Sequence, residues 1–447
     1  MKQIAWVVLC LLAPACAQAA SFDCAKATTQ VEKCICGNPE LSRLDEELAA
    51  AYKGALKNAK HAQAVRQTER EWLKSRLSTC EKVHYDSRAI SACIQTAYEQ
   101  RLAWLKFPIM TDSVGRLLAA RVGYGVTLLS DGKVLIAGGK EDNDALYPAD
   151  VALDSAELYD PATRRSTATG NLMYARAAPG LISLPGGKVL VYGGYDNTGP
   201  RTDPMQDVDG VEIYDPESGK FSKMPDLPTG YGSIVPLANG KILGVVPSGA
   251  DLADLATGRV THVSYTTGSM FNRMEYTARL LKNGKVLVVA SPSAELYDPE
   301  KNAFAETGKL SLDRQGYSVT LLKNGKVLVA GGFSNYDASQ HSVDHLRSAE
   351  LYDPATGRFS PTGELVTPRS GHLAFLLPNG KVMVLAGEGP GGRSETSVEL
   401  YDPATGRFNL VGNFDGPANA WSFIPVKDGT VLILDGTSAK IYDPARQ

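Results

Sequence analysis

The sequence predicts a small disulfide-stapled all-α domain, followed by an all-β seven-bladed propeller that an N-terminal strand closes. Three observations carry this. Every cysteine lies before residue 94 of the 447. A hairpin unit with a glycine turn then recurs seven times. A Tyr-Asp-Pro tripeptide follows six of those seven hairpins. The composition agrees: 43% of residues are hydrophobic and 21% are charged, which excludes a mostly disordered chain. Lys and Arg number 46 against 49 Asp and Glu, so the basic excess that broad nucleic-acid capture needs is missing. The 43 glycines and 25 prolines suit many short strands joined by tight turns.

The first 19 residues read as a signal peptide. Lys2 supplies the positive start, Ile4 to Leu12 is an apolar run, and Ala17-Gln18-Ala19 places cleavage before Ala20. That run is too short to cross a bilayer, which takes about 20 residues, and no later stretch is longer. A periplasmic or secreted protein is expected. Lipoprotein processing at Cys16 is the minor alternative, because Ala13-Pro14-Ala15-Cys16 fits that motif poorly.

Export leaves five cysteines: Cys24, Cys34, Cys36, Cys80 and Cys93. Clustered in an exported segment of domain size, they read as disulfide staples rather than as a zinc site. Two bridges leave one thiol over, and spacing alone does not choose the pairing. The segment is otherwise helical. Asn38 is an N-cap with Pro39 at the first helical position, and Leu41, Leu44, Leu48, Tyr52 and Leu56 form one apolar face. A second helix is expected over His61 to Leu77, with Val65, Trp72 and Leu73. A third is expected over Ser87 to Leu105, with Ile90, Ile94, Tyr98, Leu102 and Leu105. Three short helices bury too little to hold firmly without cross-links.

These residues carry a family resemblance. Phe22-Asp23-Cys24-Ala25-Lys26-Ala27, Ile35-Cys36, Pro39-Glu40-Leu41, Leu44-Asp45, Tyr52, Glu71-Trp72-Leu73-Lys74, Arg76, Cys80, Cys93 and Tyr98 resemble the N-terminal domain of LprI-type lysozyme inhibitors over residues 22–105. The resemblance implies lysozyme inhibition or binding. It places the family's four cysteines on Cys24, Cys36, Cys80 and Cys93, with local bridges Cys24–Cys36 and Cys80–Cys93 favoured. Cys34 is then the unpaired thiol.

The rest, residues 108–447, is one repeated unit. The hairpin glycines are Gly132, Gly187, Gly240, Gly284, Gly325, Gly380 and Gly429, spaced 41 to 55 residues apart. Each lies between two short apolar runs, strands a and b. Strand c leads into Tyr159, Tyr214, Tyr297, Tyr352, Tyr401 or Tyr442 of the Tyr-Asp-Pro, with Ala253 in that place in unit three. A turn such as Pro354 to Arg358 leads on to strand d. Seven four-stranded units at this period read as a β-propeller. The seventh unit lacks its own strand d, and Thr111 to Arg121 is expected to supply it. Gly138-Gly139, Gly193-Gly194 and Gly331-Gly332 make the unit resemble the Kelch repeat.

Antiparallel order puts the a–b and c–d turns on one face and the b–c and d–a loops on the other. The turns are short and nearly alike. From hairpin glycine to Tyr position the counts are 27, 27, 13, 13, 27, 21 and 13, so blades one, two, five and six carry extended b–c loops. Variable loops on a rigid frame are where function concentrates.

Eleven residues before five hairpin glycines stand Arg121, Arg176, Arg273, Arg314 and Arg369. Three residues later come Tyr124, Tyr276, Tyr317 and His372, with Trp421 in the same place in blade seven. Arginines and aromatics converging on one mouth would suit an anionic or sugar ligand. The competing reading is that the arginines brace loops through carbonyls and the aromatics pack between blades, because repeat-wide positions often serve the repeat. Acidic loop residues Glu141, Asp142, Asp144, Asp203, Asp207 and Asp209 show no calcium-ligand spacing. Asp337, His341, Asp344 and His345 read as a solvated loop. No cofactor and no metal site is expected.

The helical part has a net charge of +3 over residues 20–107, and the propeller −7 over residues 108–447. The propeller is therefore the part that would attract a cationic protein. Two functional classes stand. The favoured one is an envelope binding protein: lysozyme recognition by the helical domain, and a propeller platform for a protein or glycan. The other is a carbohydrate-active propeller enzyme of mutarotase type, using polar groups such as Arg314, His372 and Glu275. A copper-radical oxidase needs a cross-linked Cys–Tyr pair, and no cysteine follows Cys93.

Overall fold

The computed structural model describes residues 21–57, 62–81, 87–106, 112–141, 151–196, 206–208, 210–224, 233–270, 275–337, 342–414 and 421–444. The signal-peptide and Cys16 readings lie outside them, as do Arg273, Asp142, Asp144, Asp203, Asp209 and His341. The chain divides into two compact units. One is residues 1–109 with 412–416, and the other is residues 110–411 with 417–447.

The first unit is helical: α1 (Gln30–Gly37), α2 (Pro39–Ala55), α3 (Ala62–Glu81) and α4 (Ser87–Lys106). Helix α1 was not anticipated. Its signal is a capping box, in which the Thr29 hydroxyl accepts from the Glu32 N–H at 3.1 Å and the Glu32 carboxylate accepts from the Thr29 N–H at 2.9 Å. Asn38 caps α2 as expected. Val31, Ile35, Leu41, Leu44, Val65, Ile90, Ile94 and Tyr98 form the buried interior. Leu73 departs from expectation and is exposed. It lies eight residues after Val65, about 80° round the helix, at the edge of the apolar stripe. The Tyr98 hydroxyl donates to Asp45 at 2.5 Å, joining α4 to α2. Cys24 bridges Cys36 and Cys80 bridges Cys93, and Cys34 is a free, half-buried thiol.

The second unit is a seven-bladed propeller of four-stranded antiparallel sheets. Blade one runs a (Gly125–Leu128), b (Val134–Ala137), c (Ala156–Asp160) and d (Arg165–Ala168). Blade seven takes its strand d from Asp112–Arg116, which pairs with Ser438–Tyr442 in the order d-c-b-a. Chain-distant strands thus share one sheet and close the ring. Strands b are buried on both sides, as in Val134–Ala137 and Val327–Ala330, because each sheet packs between two neighbours. Buried clusters join blades one to two, two to three, three to four, four to five, five to six, and seven to one.

The Tyr-Asp-Pro repeat has a packing cause. Tyr159, Tyr214, Tyr297, Tyr352 and Tyr401 are fully buried. Tyr214, Tyr352 and Tyr401 share hydrogen bonds of 2.7–2.9 Å with Thr169, Thr307 and Thr362, each the residue just after strand d of the preceding blade. Tyr159 donates to the Val114 carbonyl of blade seven at 3.0 Å. Each Asp turns back on its own c–d turn, as when Asp353 accepts from the Ala355 N–H at 2.9 Å.

Candidate functional site

The repeated arginines are the sequence's candidate ligand contacts. Arg121, Arg176, Arg314 and Arg369 are at most 1% exposed. Each guanidinium lies inside its own blade. Arg121 donates to the Gly138 and Ser155 carbonyls at 2.9 and 3.0 Å and pairs with Glu157 at 3.2 Å. Arg176 donates to Gly193, Gly210 and Glu212 at 3.0, 2.8 and 2.9 Å. Arg314 donates to Gly331 and Ser348 at 2.9 Å and pairs with Glu350 at 3.3 Å. Arg369 reaches Ala386, Ser397 and Glu399 at 3.2, 2.9 and 3.0 Å. Burial presses all four guanidinium pKa values down, and the paired carboxylates oppose it. These groups do not face a mouth. They tie the end of strand b to the start of strand c.

The main chain of the same residues faces the other way. The Arg176 carbonyl accepts from Gly139 of blade one at 2.9 Å, and the Arg369 carbonyl accepts from Gly332 of blade five at 2.8 Å. A Cβ at Gly138 would stand 2.5 Å from the Arg176 oxygen, and Gly138 and Gly139 have φ of 66° and 99°. The double glycine is therefore the contact point between blades. Ala386-Gly387 takes this place in blade six, with φ of 59° and 87°.

The partner glutamates were the signal that sequence reasoning passed over. They stand two residues before the Tyr of Tyr-Asp-Pro: Glu157, Glu212, Glu295, Glu350 and Glu399. All are buried, and each also holds the preceding d–a loop through its N–H groups. Glu157 accepts from Leu118 at 2.8 Å, Glu212 from Met173 at 2.7 Å, Glu295 from Thr266 at 2.8 Å, and Glu399 from Val366 at 2.7 Å. Blades three and seven, which lack the Arg, carry Asp251 and Lys440 at the Glu position.

The aromatic ring is likewise internal. The hydroxyls of Tyr124 and Tyr317 donate to Leu434 and Val289 of the preceding blade, both at 3.1 Å. Tyr276 donates to Met270 at 2.8 Å. His372 Nε2 shares a 2.8 Å hydrogen bond with Ser318 of blade five. Burial first, then the Arg369 guanidinium, push its imidazole down to about 3, so it is neutral. Trp421 is half-buried under the Lys440 ammonium, 5.2 Å from its ring centroid. Of the groups weighed for a sugar enzyme, Arg314 and His372 are thus engaged with protein. Glu275 accepts from the Gly316 N–H at 2.6 Å, with burial pushing its carboxyl up. Among the described residues no group of three His, Cys, Asp or Glu could hold a metal ion.

What the bracing leaves outward is the loop surface. The Leu118 and Met173 side chains are 59% and 56% exposed, although their N–H groups are bound. Val366 follows the same pattern in blade six, and in blade five exposed Leu312 comes directly after Ser311, whose N–H Glu350 holds. The extended b–c loops form small ribbons of their own, Tyr195–Asp196 with Gln206–Asp207, Phe333–Asp337 with Ser342–His345, and Glu388–Gly389 with Arg393–Ser394. Across all blades the b–c and d–a loops hold 19 Asp and Glu against 10 Lys and Arg. Four of those ten cations are the buried arginines. The loop face is therefore an acidic surface set with fixed apolar side chains.

Residues 23–105 match the family profile described as lysozyme inhibitor LprI. Residues 183–228, most of blade two, match the Kelch motif. The helical unit thus matches the LprI profile, and its bridges Cys24–Cys36 and Cys80–Cys93 join the cysteines that the resemblance singled out. No curated protein matches the chain. Among solved structures, a fungal alcohol oxidase of the AA5 family in complex with copper is similar at a TM-score of 0.58 and 17% identity, covering 75% of this chain and 76% of that one. At that identity the likeness shows the propeller fold alone. The LprI and Kelch matches support a binding function at the family level, and the disulfides and the LprI domain suggest an extracytoplasmic protein. No described helix is long and apolar enough to cross a membrane.

Proposed function

We propose that this is an exported envelope protein that binds lysozyme through its LprI domain and presents the propeller's loop face as a second docking surface. The observation that carries it is the LprI match over residues 23–105. The charge of the loop face supports the second part. An acidic surface with apolar side chains held by buried hydrogen bonds suits a cationic protein, steering it at long range and gripping it at contact. The extended ribbons of blades one, two, five and six give that face its individuality.

The test is muramidase activity with the full-length mature protein in molar excess, together with capture on immobilised lysozyme. Loss of activity at ~1 µM protein is expected, from the affinity of an ordinary specific complex. Neither inhibition nor capture at low salt would sink the lysozyme reading. Met173→Asp and Leu118→Asp, both at exposed positions, separate the surfaces. If the loop face contributes, they weaken capture about tenfold, and if only the LprI domain binds, they leave it unchanged.

A further inference from the structure

The turns on the opposite face looked uniform in sequence, and their charge is the reverse of the loops'. With the strand ends that border them, the a–b and c–d turns hold 16 Lys and Arg against 10 Asp and Glu. Four of the acids there are ion-paired, while Glu217 and Glu300 stay exposed. Asp215, Asp298, Asp353 and Asp402 pair with Lys188, Lys285, Lys326 and Lys381 at 3.0–3.4 Å. The cations that open strand d are not paired in this way. Arg165, Lys220, Arg259, Arg358 and Arg407 stand one to a blade and are exposed, with no ion-pair partner among the described residues. Lys301 holds a neighbouring position in blade four. Nearer the axis, Lys282, Lys323 and Lys427 donate to the Lys323, Pro378 and Ser130 carbonyls of the next blade. That bond keeps each ammonium on the same face, where the side chain is exposed.

We propose that the turn face of the propeller docks on an anionic lipid bilayer, leaving the acidic loop face turned away from it. The shape argues for a bilayer. The turns have nearly equal length, so their cations lie in a ring at one level rather than along a groove. A plane of lipid phosphates meets such a ring all at once, whereas a polymer chain needs a track. The turns carry Asn-Gly, Asp-Gly and Gly-Gly tips and no large apolar tip residue, so adsorption is electrostatic and without insertion. Near an anionic surface each Lys or Arg contributes about 1 kcal/mol, about fivefold in partitioning, and the attraction fades within a Debye length. This inference rests on the propeller alone and is independent of lysozyme binding.

The experiment is co-sedimentation of the full-length mature protein with phosphatidylcholine vesicles, with and without about a third phosphatidylglycerol. The expected result is partitioning only onto the anionic vesicles, abolished by about 0.5 M salt. A triple variant, Arg165→Gln, Arg358→Gln and Arg407→Gln, should lower it roughly a hundredfold with unchanged circular dichroism. Glu141→Gln with Asp207→Asn, on the loop face, should leave it intact. Equal binding to neutral vesicles, no binding, or a triple variant that partitions like the parent overturns the proposal. So does retention on heparin without vesicle partitioning, which would point to a polyanionic chain instead.

Discussion

Blades one, two, five and six are held by buried Arg–Glu pairs, and blades three and seven are not. In blade three the Glu position is Asp251, paired with exposed His262 at 2.8 Å. In blade seven it is Lys440, paired with Asp435 at 3.0 Å and lying over Trp421. The braced blades are also those with extended b–c loops. A long loop frees the ends of strands b and c, and the guanidinium ties both to one anchor. In blade three Val246 pairs directly with Gly249, so there is no gap to brace. In these four blades the arginine is thus a brace between strands b and c and not a ligand contact, whereas blade four carries Arg273 and Glu295 with a short b–c loop, so loop length alone does not set the Arg and Glu positions.

Glu399→Ala leaves the Arg369 guanidinium buried without its countercharge, and should cost about 3–5 kcal/mol in urea unfolding. Asp251→Ala, with a partner at the surface, should cost under about 1 kcal/mol. Similar losses from the two would end the distinction between braced and unbraced blades.

The helical unit is a reference held by covalent means. Replacing Cys80 and Cys93 by Ala, which opens a bridge of sequence separation 13, should cost it about 3 kcal/mol. Helical circular dichroism should then melt before the β-sheet signal. Coincident melting would contradict separate stabilities for the two units.

His372 makes the stability of blade six depend on pH. Folded, its pKa lies at about 3, against 6.5 for an ordinary histidine. Its contribution is complete above pH 6.5. Below that the unfolded chain takes up a proton that the folded chain refuses. Stability should fall by up to about 1.4 kcal/mol per pH unit until pH nears the folded value. His372→Gln should show a flatter profile between pH 6.5 and 5. Parallel profiles would mean that the imidazole is already charged in the folded blade.

The smallest expected effect is at Lys440. Lys440→Met removes one half-exposed pair and the contact with Trp421, and should cost about 1 kcal/mol or less. A loss as large as that of Glu399→Ala would make it a brace of another kind.

Much of the fold was legible because repetition multiplies weak local signals. One Gly-Lys hairpin says little, and seven at similar spacing, each followed by a Tyr-Asp-Pro or its variant, specify blades. The less legible pieces are signals that occur only once or that lie at two separate positions of the repeat. Thr29 and Glu32 marked α1, but one capping box in a cysteine-rich stretch does not stand out. Glu157 and its equivalents lie two residues before a conspicuous tyrosine. They accompany every arginine of the repeat and are missing from the two blades without one. Reading the two positions together would have identified an internal pair.

The blade number, the closing strand, the extended loops and the family resemblances are legible along the chain, because they follow from periodicity, counts and motifs. What the repeated side chains face is set by the folded ring. Arg369 and Glu399 are 30 residues apart, and whether a guanidinium meets a ligand or a carboxylate depends on where strands b and c return to each other. The separation of charge is likewise a property of the closed ring. Acidic loops and basic turns alternate along the chain, and antiparallel strands sort them onto opposite faces.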